Sequence, residues 1–459
     1  MSDRIDDLVV VLPGILGSVL ERDGAPVWNH SLAALRHVLP PHRLATALQL
    51  DEPLRPTGLI NGVHLVPGLW KIDGYGGLLR YLRASLDFSR GNLIEFPYDW
   101  RLSCADNAGR LKETVERELT RWRETVPEAR VSYLCHSMGG LIARYFLEVL
   151  GGRSTARRLV TIGTPHQGAA KAAVALSLGL APQARARLGR FGAFLDRLGD
   201  VMTEFPSVHE LLPTYRCVDT GDGLRTLSDV GLPGIDTHAV RHGAAFHRKI
   251  SEAIQHQGPR PYTTHLFGGH LHKTVLSVRH DAAGVAPMTT WNGESPRGDG
   301  TVPRFAAVPP EETDDLAVRY SGDRHAVLAG AATTHHALHA ILTARPVRAY
   351  QAPEHALALD LPDLVAAGDE AEIEVEAEDD RLVLGVFGVH EESGESWHGP
   401  GLRSLGDGRY RAGVSLPRPG VWRVTVRSLT RVPVEPVSDV VVAVDPAACQ
   451  GPHVVAGAQ

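Results

Sequence analysis

Short apolar runs and helix-period segments alternate along the first three quarters of the chain. Leu8 to Leu12, Leu93 to Phe96, Val131 to Leu134 and Leu159 to Ile162 read as strands dominated by apolar residues. Between them, residues 107–124 carry Leu111, Val115 and Leu119 at helical spacing among charged neighbours. Strand followed by helix, repeated in that order, predicts a parallel sheet covered by helices on both faces. Such sheets gather reactive groups at the carboxyl ends of their strands.

The pattern changes after residues 344–353, ARPVRAYQAP. Glu370 to Glu376, Leu382 to Val389, Tyr410 to Leu416 and Val421 to Val426 alternate apolar and polar positions, separated by Gly and Pro turns. About a hundred residues of this kind predict an all-β, immunoglobulin-like sandwich. The domains expected are therefore residues 1–347, with a helical cap around 169–260, and a sandwich over 354–447.

Chemistry concentrates where strand patterns end. In VSYLCHSMGG (131–140) a strand breaks at Ser137 and becomes a helix, the sequence form of a nucleophile elbow, G-x-S-x-G. Cys135 stands where the leading glycine would be, and Gly139 keeps the trailing one. LPGILG (12–17) leaves a strand into a glycine turn that can aim backbone N–H groups at a developing oxyanion. RGDGTVP (297–303) places an acid between glycines, and a strand at Leu316 to Ser321 leads into the loop carrying His325. Serine, acid, histidine is the chain order of α/β-hydrolase triads. A serine hydroxyl needs an imidazole to take its proton, and the imidazole needs a carboxylate to fix its tautomer and stabilise its charge.

Rivals exist for two of the roles. Among 23 histidines, His335, His336 and His339 fall near His325 but lie in a helical pattern, whereas His325 has the loop context that a base requires. His136 and His166 read as packing beside catalytic turns. Asp323 reads as solvated, and Asp99 with Arg101 as an internal ion pair rather than a catalytic group, which makes Asp299 the better choice of acid.

Taken together, LPGILGSVLE (12–21), VPGLWK (66–71), FPYDWRLS (96–103), CHSMGG (135–140), GTPHQG (163–168) and GDGTVP (298–303) resemble the lecithin:cholesterol acyltransferase family, with its phospholipid:diacylglycerol acyltransferases and bacterial lipases. The resemblance spans roughly the first 345 residues. It implies an α/β-hydrolase fold with Ser137 as nucleophile, Asp299 as acid and His325 as base. It also implies that the Leu16 and Met138 N–H groups form the oxyanion hole.

Composition narrows the setting. A length of 459 residues suggests two or three domains, and no long apolar segment of the kind that spans a bilayer stands out. The start, MSDRIDDLVVVLPG, has no basic region ahead of an apolar stretch, so no secretory leader is expected. Cys104, Cys135, Cys217 and Cys449 are scattered without metal-ligand spacing, and a reducing cytoplasm is the expected compartment. A net charge of -6 argues against nucleic acid as a partner. Neither metal nor organic cofactor is required.

The function expected is that of a lipid ester hydrolase or O-acyltransferase working through an acyl-enzyme on Ser137. The cap, rich in alanine and leucine over Ala169 to Leu180, either meets acyl chains and touches a membrane surface transiently or packs against the body. The C-terminal sandwich would bind a partner or stabilise the chain. The competing reading is a catalytically silent scaffold that binds a lipid or protein.

Overall fold

The computed structural model describes residues 3–29, 45–62, 64–66, 70–180, 189–312, 318–344, 356–430 and 434–445. The 345–353 linker, Pro67 to Leu69 of the VPGLWK motif, and the start of the expected strand at Leu316 lie outside the described residues.

Among the described residues, six parallel strands form the central sheet. In chain order they are β1 (Leu8–Leu12), β2 (Leu93–Glu95), β3 (Val131–His136), β4 (Ala156–Ile162), β5 (Thr263–Gly269) and β8 (Val318–Ser321), arranged β8-β5-β4-β3-β1-β2. Every residue of β1 and β3 is buried, as expected for strands covered on both faces. Among the described residues, the longer helices are α1 (Gly76–Ser85), α2 (Cys104–Arg123), α3 (Met138–Val149), α4 (Ala170–Leu178), α5 (Gly189–Met202), α6 (Thr237–His256) and α7 (Ala332–Thr343). Helix α2 starts because the Ser103 side chain accepts the Ala105 N–H, and it buries Leu111, Val115, Leu119 and Trp122 along one stripe. Helices α2 and α6 both pack on α3, while α7 packs on α1.

Two expectations about the cap are sharpened. Ala172, Ala173, Val174, Ala175 and Leu176 of α4 are buried and Leu178 is partly buried, so this helix packs mainly inward. The antiparallel hairpin β6 (Ser277–Asp281) and β7 (Gly284–Met288) lies against it. Helix α6 buries Val240, Phe246 and Ile250, so the later part of the 169–260 stretch contributes to the layer on α3.

The C-terminal part is two sheets sharing one core. One is β9-β11-β15-β14 and the other β10-β17-β16-β12-β13, with β9 Leu357–Asp360, β10 Leu364–Ala366, β11 Glu370–Ala377, β12 Leu384–His390, β13 Ser396–Gly401, β14 Arg403–Gly406, β15 Arg409–Ser415, β16 Gly420–Ser428 and β17 Val437–Val444. All neighbours are antiparallel except β10 and β17. Ile373, Val375, Tyr410 and Val414 of one sheet meet Val386, Trp422, Val424 and Val441 of the other. A different set of sandwich residues, Leu364, Val421, Val440 and Val442, joins the core of the α/β part, so the sandwich is docked on it through apolar contacts.

Candidate active site

Ser137 follows the last residue of β3 and precedes the first of α3, with φ 52° and ψ -126°. A non-glycine residue at positive φ is strained, and the turn persists because its surroundings hold it. The Ser137 N–H donates to Ile162 O (2.8 Å), and Thr164 Oγ1 donates to Ser137 O (2.9 Å). Gly139 is required by space: a Cβ there would stand 2.5 Å from Pro13 O. Cys135, in place of the leading glycine, fits because it lies within β3, paired with Leu12 and Thr161, rather than in the turn. Burial pushes its thiol well above the usual range, so it is no competing nucleophile.

His325 sits in the loop after β8. Its Nε2 lies 3.0 Å from Ser137 Oγ and its Nδ1 2.7 Å from Asp299 Oδ2. An Nδ1–H donated to the carboxylate leaves Nε2 as the acceptor for the serine hydroxyl. Asp299 Oδ1 accepts the N–H groups of Thr301 (2.9 Å) and Val302 (2.7 Å), and Asp299 O accepts the His325 N–H (2.8 Å). Burial works against the Asp299 charge, but His325 and the two amides outweigh it and hold the carboxyl below its ordinary value. The three side chains are 0%, 2% and 2% exposed for Ser137, Asp299 and His325.

Of the four turns expected directly after strands, three are so placed. Asp299 is the departure. Between β5 and the acid turn the chain detours through the β6–β7 hairpin, then returns to lie over the end of β5. A Cβ on Gly269 would stand 2.7 Å from Asp299 Cβ, so the glycine that ends β5 makes room for the acid.

The remaining sequence-chosen residues fall as follows. Leu16 lies in the turn after β1 with φ 66°, and Met138 is the first residue of α3, where the N–H has no intrahelical acceptor. The neighbouring Gly14 N–H is already engaged, donating to Tyr75 Oη (2.6 Å). Asp99 and Arg101 form a buried two-point ion pair (2.8 and 3.0 Å), with the guanidinium also donating to the carbonyls of Leu48, Gln49 and Glu52. His335 stacks on Tyr81, away from the serine loop, and His166 lies between Thr161 and Arg144. Asp323 departs from its expected solvated state. It is half-buried, takes a hydrogen bond from Thr333, and is raised to about 6 by burial and by nearby Glu435.

Two features of the site went unread in the sequence. Gly163, the first residue of GTPHQG, has φ 59°, and a Cβ there would press on His325 Nδ1 (3.1 Å) and Asp299 Oδ2 (3.2 Å). The motif itself was the available signal. The second feature is a relay through His136. Tyr75 O–H donates to His136 Nδ1 (2.8 Å), and His136 Nε2–H donates to His325 O (3.1 Å). Burial, with His325 adding to it, lowers His136 to about 3, so it stays neutral and keeps this tautomer. No local pattern announces Tyr75, whose partners lie 61 positions away.

The class these features point to is that of the acyl-ester hydrolases and acyltransferases. Residues 77–222 match the family model of lecithin:cholesterol acyltransferase, which bears out the resemblance read from the motifs. The matched stretch contains Ser137 and ends before Asp299 and His325. Among solved structures, the chain is similar to one in the Tle4-Tli4 complex, at 15% identity over 75% of this chain and 98% of that one, with a TM-score of 0.49. It is also similar to the mature form of Bacillus licheniformis lipase BlEst2, at 13% identity over 74% and 94%, with a TM-score of 0.37. No curated protein matches the chain. No helix among the described residues is long and apolar enough to cross a membrane.

Proposed function

We propose that the chain is a serine-dependent lipid ester hydrolase or O-acyltransferase. Ser137 Oγ attacks the ester carbonyl as its proton passes to His325 Nε2, and Asp299 stabilises the imidazolium through Nδ1. The oxyanion is held by the Leu16 and Met138 N–H groups. Collapse expels the alcohol, which leaves with the proton from Nε2, and the acyl group stays on Ser137. Water or a second alcohol then gives its proton to His325 Nε2 and takes the acyl group, and Nε2 returns that proton to Ser137 Oγ as it leaves.

The observation that carries this reading is the unbroken hydrogen-bond line Ser137 Oγ, His325 Nε2, His325 Nδ1, Asp299 Oδ2, at 3.0 and 2.7 Å. Residues 1–347 form the catalytic unit in this proposal, and 354–447 an immunoglobulin-like appendage. A lipid surface would be met by cap residues other than those of α4, whose apolar side chains point mainly inward. The buried free thiols of Cys104, Cys135 and Cys217 suit a cytoplasmic setting.

The test is incubation with a phospholipid and diacylglycerol, followed by mass measurement of the products. Free fatty acid alone assigns water as acceptor, and a new ester assigns the alcohol. Ser137→Ala should lower either product by at least about 10³-fold with the fold intact. Turnover retained by that variant would remove Ser137 from the mechanism, and a wild-type protein unreactive toward a fluorophosphonate would favour a binding scaffold.

A further inference from the structure

The sandwich meets the α/β part at the two loops that carry the acid and the base. Arg324, the residue before His325, is the centre of that contact. Its Nε pairs with Asp439 Oδ2 of β17 at 3.0 Å, and its Nη1 donates to Leu359 O of β9. On its other side the guanidinium lies against Gly300 of the acid turn, where a Cβ would stand 3.0 Å from Nη2. Asp439 is completely buried, and its Oδ2 is shared with Lys71 Nζ (2.8 Å), which also pairs with Asp363 (2.7 Å). The far side of the base loop is tied to the sandwich as well. The Asp73 N–H donates to Ala326 O, and the Asp73 carboxylate pairs with Arg423 of β16. Two residues before the acid, Arg297 pairs with Glu376 of β11.

Four charges thus meet in a buried cluster: Arg324 and Lys71 against Asp439 and Asp363. Burial opposes the Asp439 charge, but Arg324 and Lys71 outweigh it and keep the carboxyl below its ordinary value. Lys171, His272 and Asp73 are further titratable groups whose fields reach this cluster. A buried ion pair adds little net stability over apolar packing, so its best use is to fix geometry. Here the geometry fixed is that of a guanidinium wedged between the acid turn and the base loop.

We propose that Asp439 is a positioning residue for the reaction: through Arg324 it holds the loop that presents the His325 imidazole between Asp299 and Ser137, so that the C-terminal sandwich completes the active site. This rests on the triad reading above. Without Asp439 the Arg324 charge is uncompensated next to the base, and the loop loses its anchor. Displacement of a reacting group by about 1 Å is enough to cost on the order of 10²-fold in rate.

The experiment is kinetics per active site on the full chain, with sites counted by fluorophosphonate titration and turnover followed on a soluble nitrophenyl ester across pH. Asp439→Asn should lower kcat per titrated site by about 10-fold or more, with KM within about twofold. The acid limb of its profile should move to lower pH, because an unbalanced guanidinium opposes the imidazolium. Asp439→Glu keeps the charge and shifts the guanidinium, so it should lower kcat while leaving the acid limb in place; it also serves if the asparagine variant folds poorly. Pairing Arg324→Gln with Asp439→Asn restores the charge balance, and the acid limb should return while kcat stays low. A purely structural role would reduce only the melting temperature and the fraction of titratable sites. Wild-type kcat per titrated site in both Asp439 variants overturns the proposal and leaves the triad standing. Failure of the wild-type protein to label at Ser137 overturns both.

Discussion

The central sheet and the C-terminal sandwich are both built from strands, yet they bury them differently. Strand β1 is LVVVL with all five positions inside, whereas β15 alternates exposed and buried along RYRAGVS. Parallel strands must all leave the sheet at one edge, and there the chain places Gly14, Ser137, Gly163 and His325. The sandwich has no such edge, and its turns are divided between its two ends. What it contributes instead is charge: Asp439, Glu376 and Arg423 point at the loops of the other unit. On the proposed reading, the reacting groups lie in one unit and an anchor for them in the other.

The largest effect that would sharpen this contrast lies in the catalytic unit alone. Asp299→Asn keeps the shape of the acid but presents the wrong tautomer to His325, and kcat should fall by about 10⁴-fold with the melting curve almost unchanged. A drop of less than about tenfold would mean that the carboxylate does no more than shape the turn. Next comes a change confined to the sandwich core. Trp422 is fully buried, with its Nε1–H donated to Arg418 O, and Trp422→Ala should cost about 3–5 kcal/mol in denaturant unfolding. Because Val421 and Val440 pack into the α/β core, esterase activity and the spectroscopic signal should be lost in one transition. Two well-separated transitions would show that the units stand independently. The smallest effect concerns Asp323. Its folded value of about 6 lies above its ordinary 3.8, so the folded state favours the protonated form. The penalty is absent below about pH 3.8 and complete above about pH 6. Asp323→Asn should therefore raise the melting temperature by about 1–3 °C at pH 8 and leave it unchanged at pH 4. An equal gain at both values would assign the effect to something other than ionisation.

The parts legible in the sequence were those with a local signature. Strands β1 and β3 announce themselves through apolar runs, and α2 through the spacing of Leu111, Val115 and Leu119. The three residues chosen for the triad do lie in one hydrogen-bonded line, because chain order and loop context constrain where such groups can go. Strand β17 was overlooked: a charged residue interrupts VSDVVVAV, and that residue is Asp439. Its partner Lys71 stands 368 positions earlier, and no periodicity links residues so far apart. The β6–β7 detour was hidden for a related reason, since a hairpin between a strand and its functional turn leaves the turn's own sequence unchanged. Asp323 was misplaced because a short polar loop reads as solvated until a second unit is known to cover it.

Ser137 and His325 stand 188 positions apart, and Asp439 comes later still. A ribosome makes a chain from its amino end, and early domains begin to fold while the rest is being synthesised. The hydroxyl of this site is therefore born long before the imidazole that would activate it. If β17 also sets that imidazole in place, the nascent polypeptide is kept from attacking esters until that strand has been made.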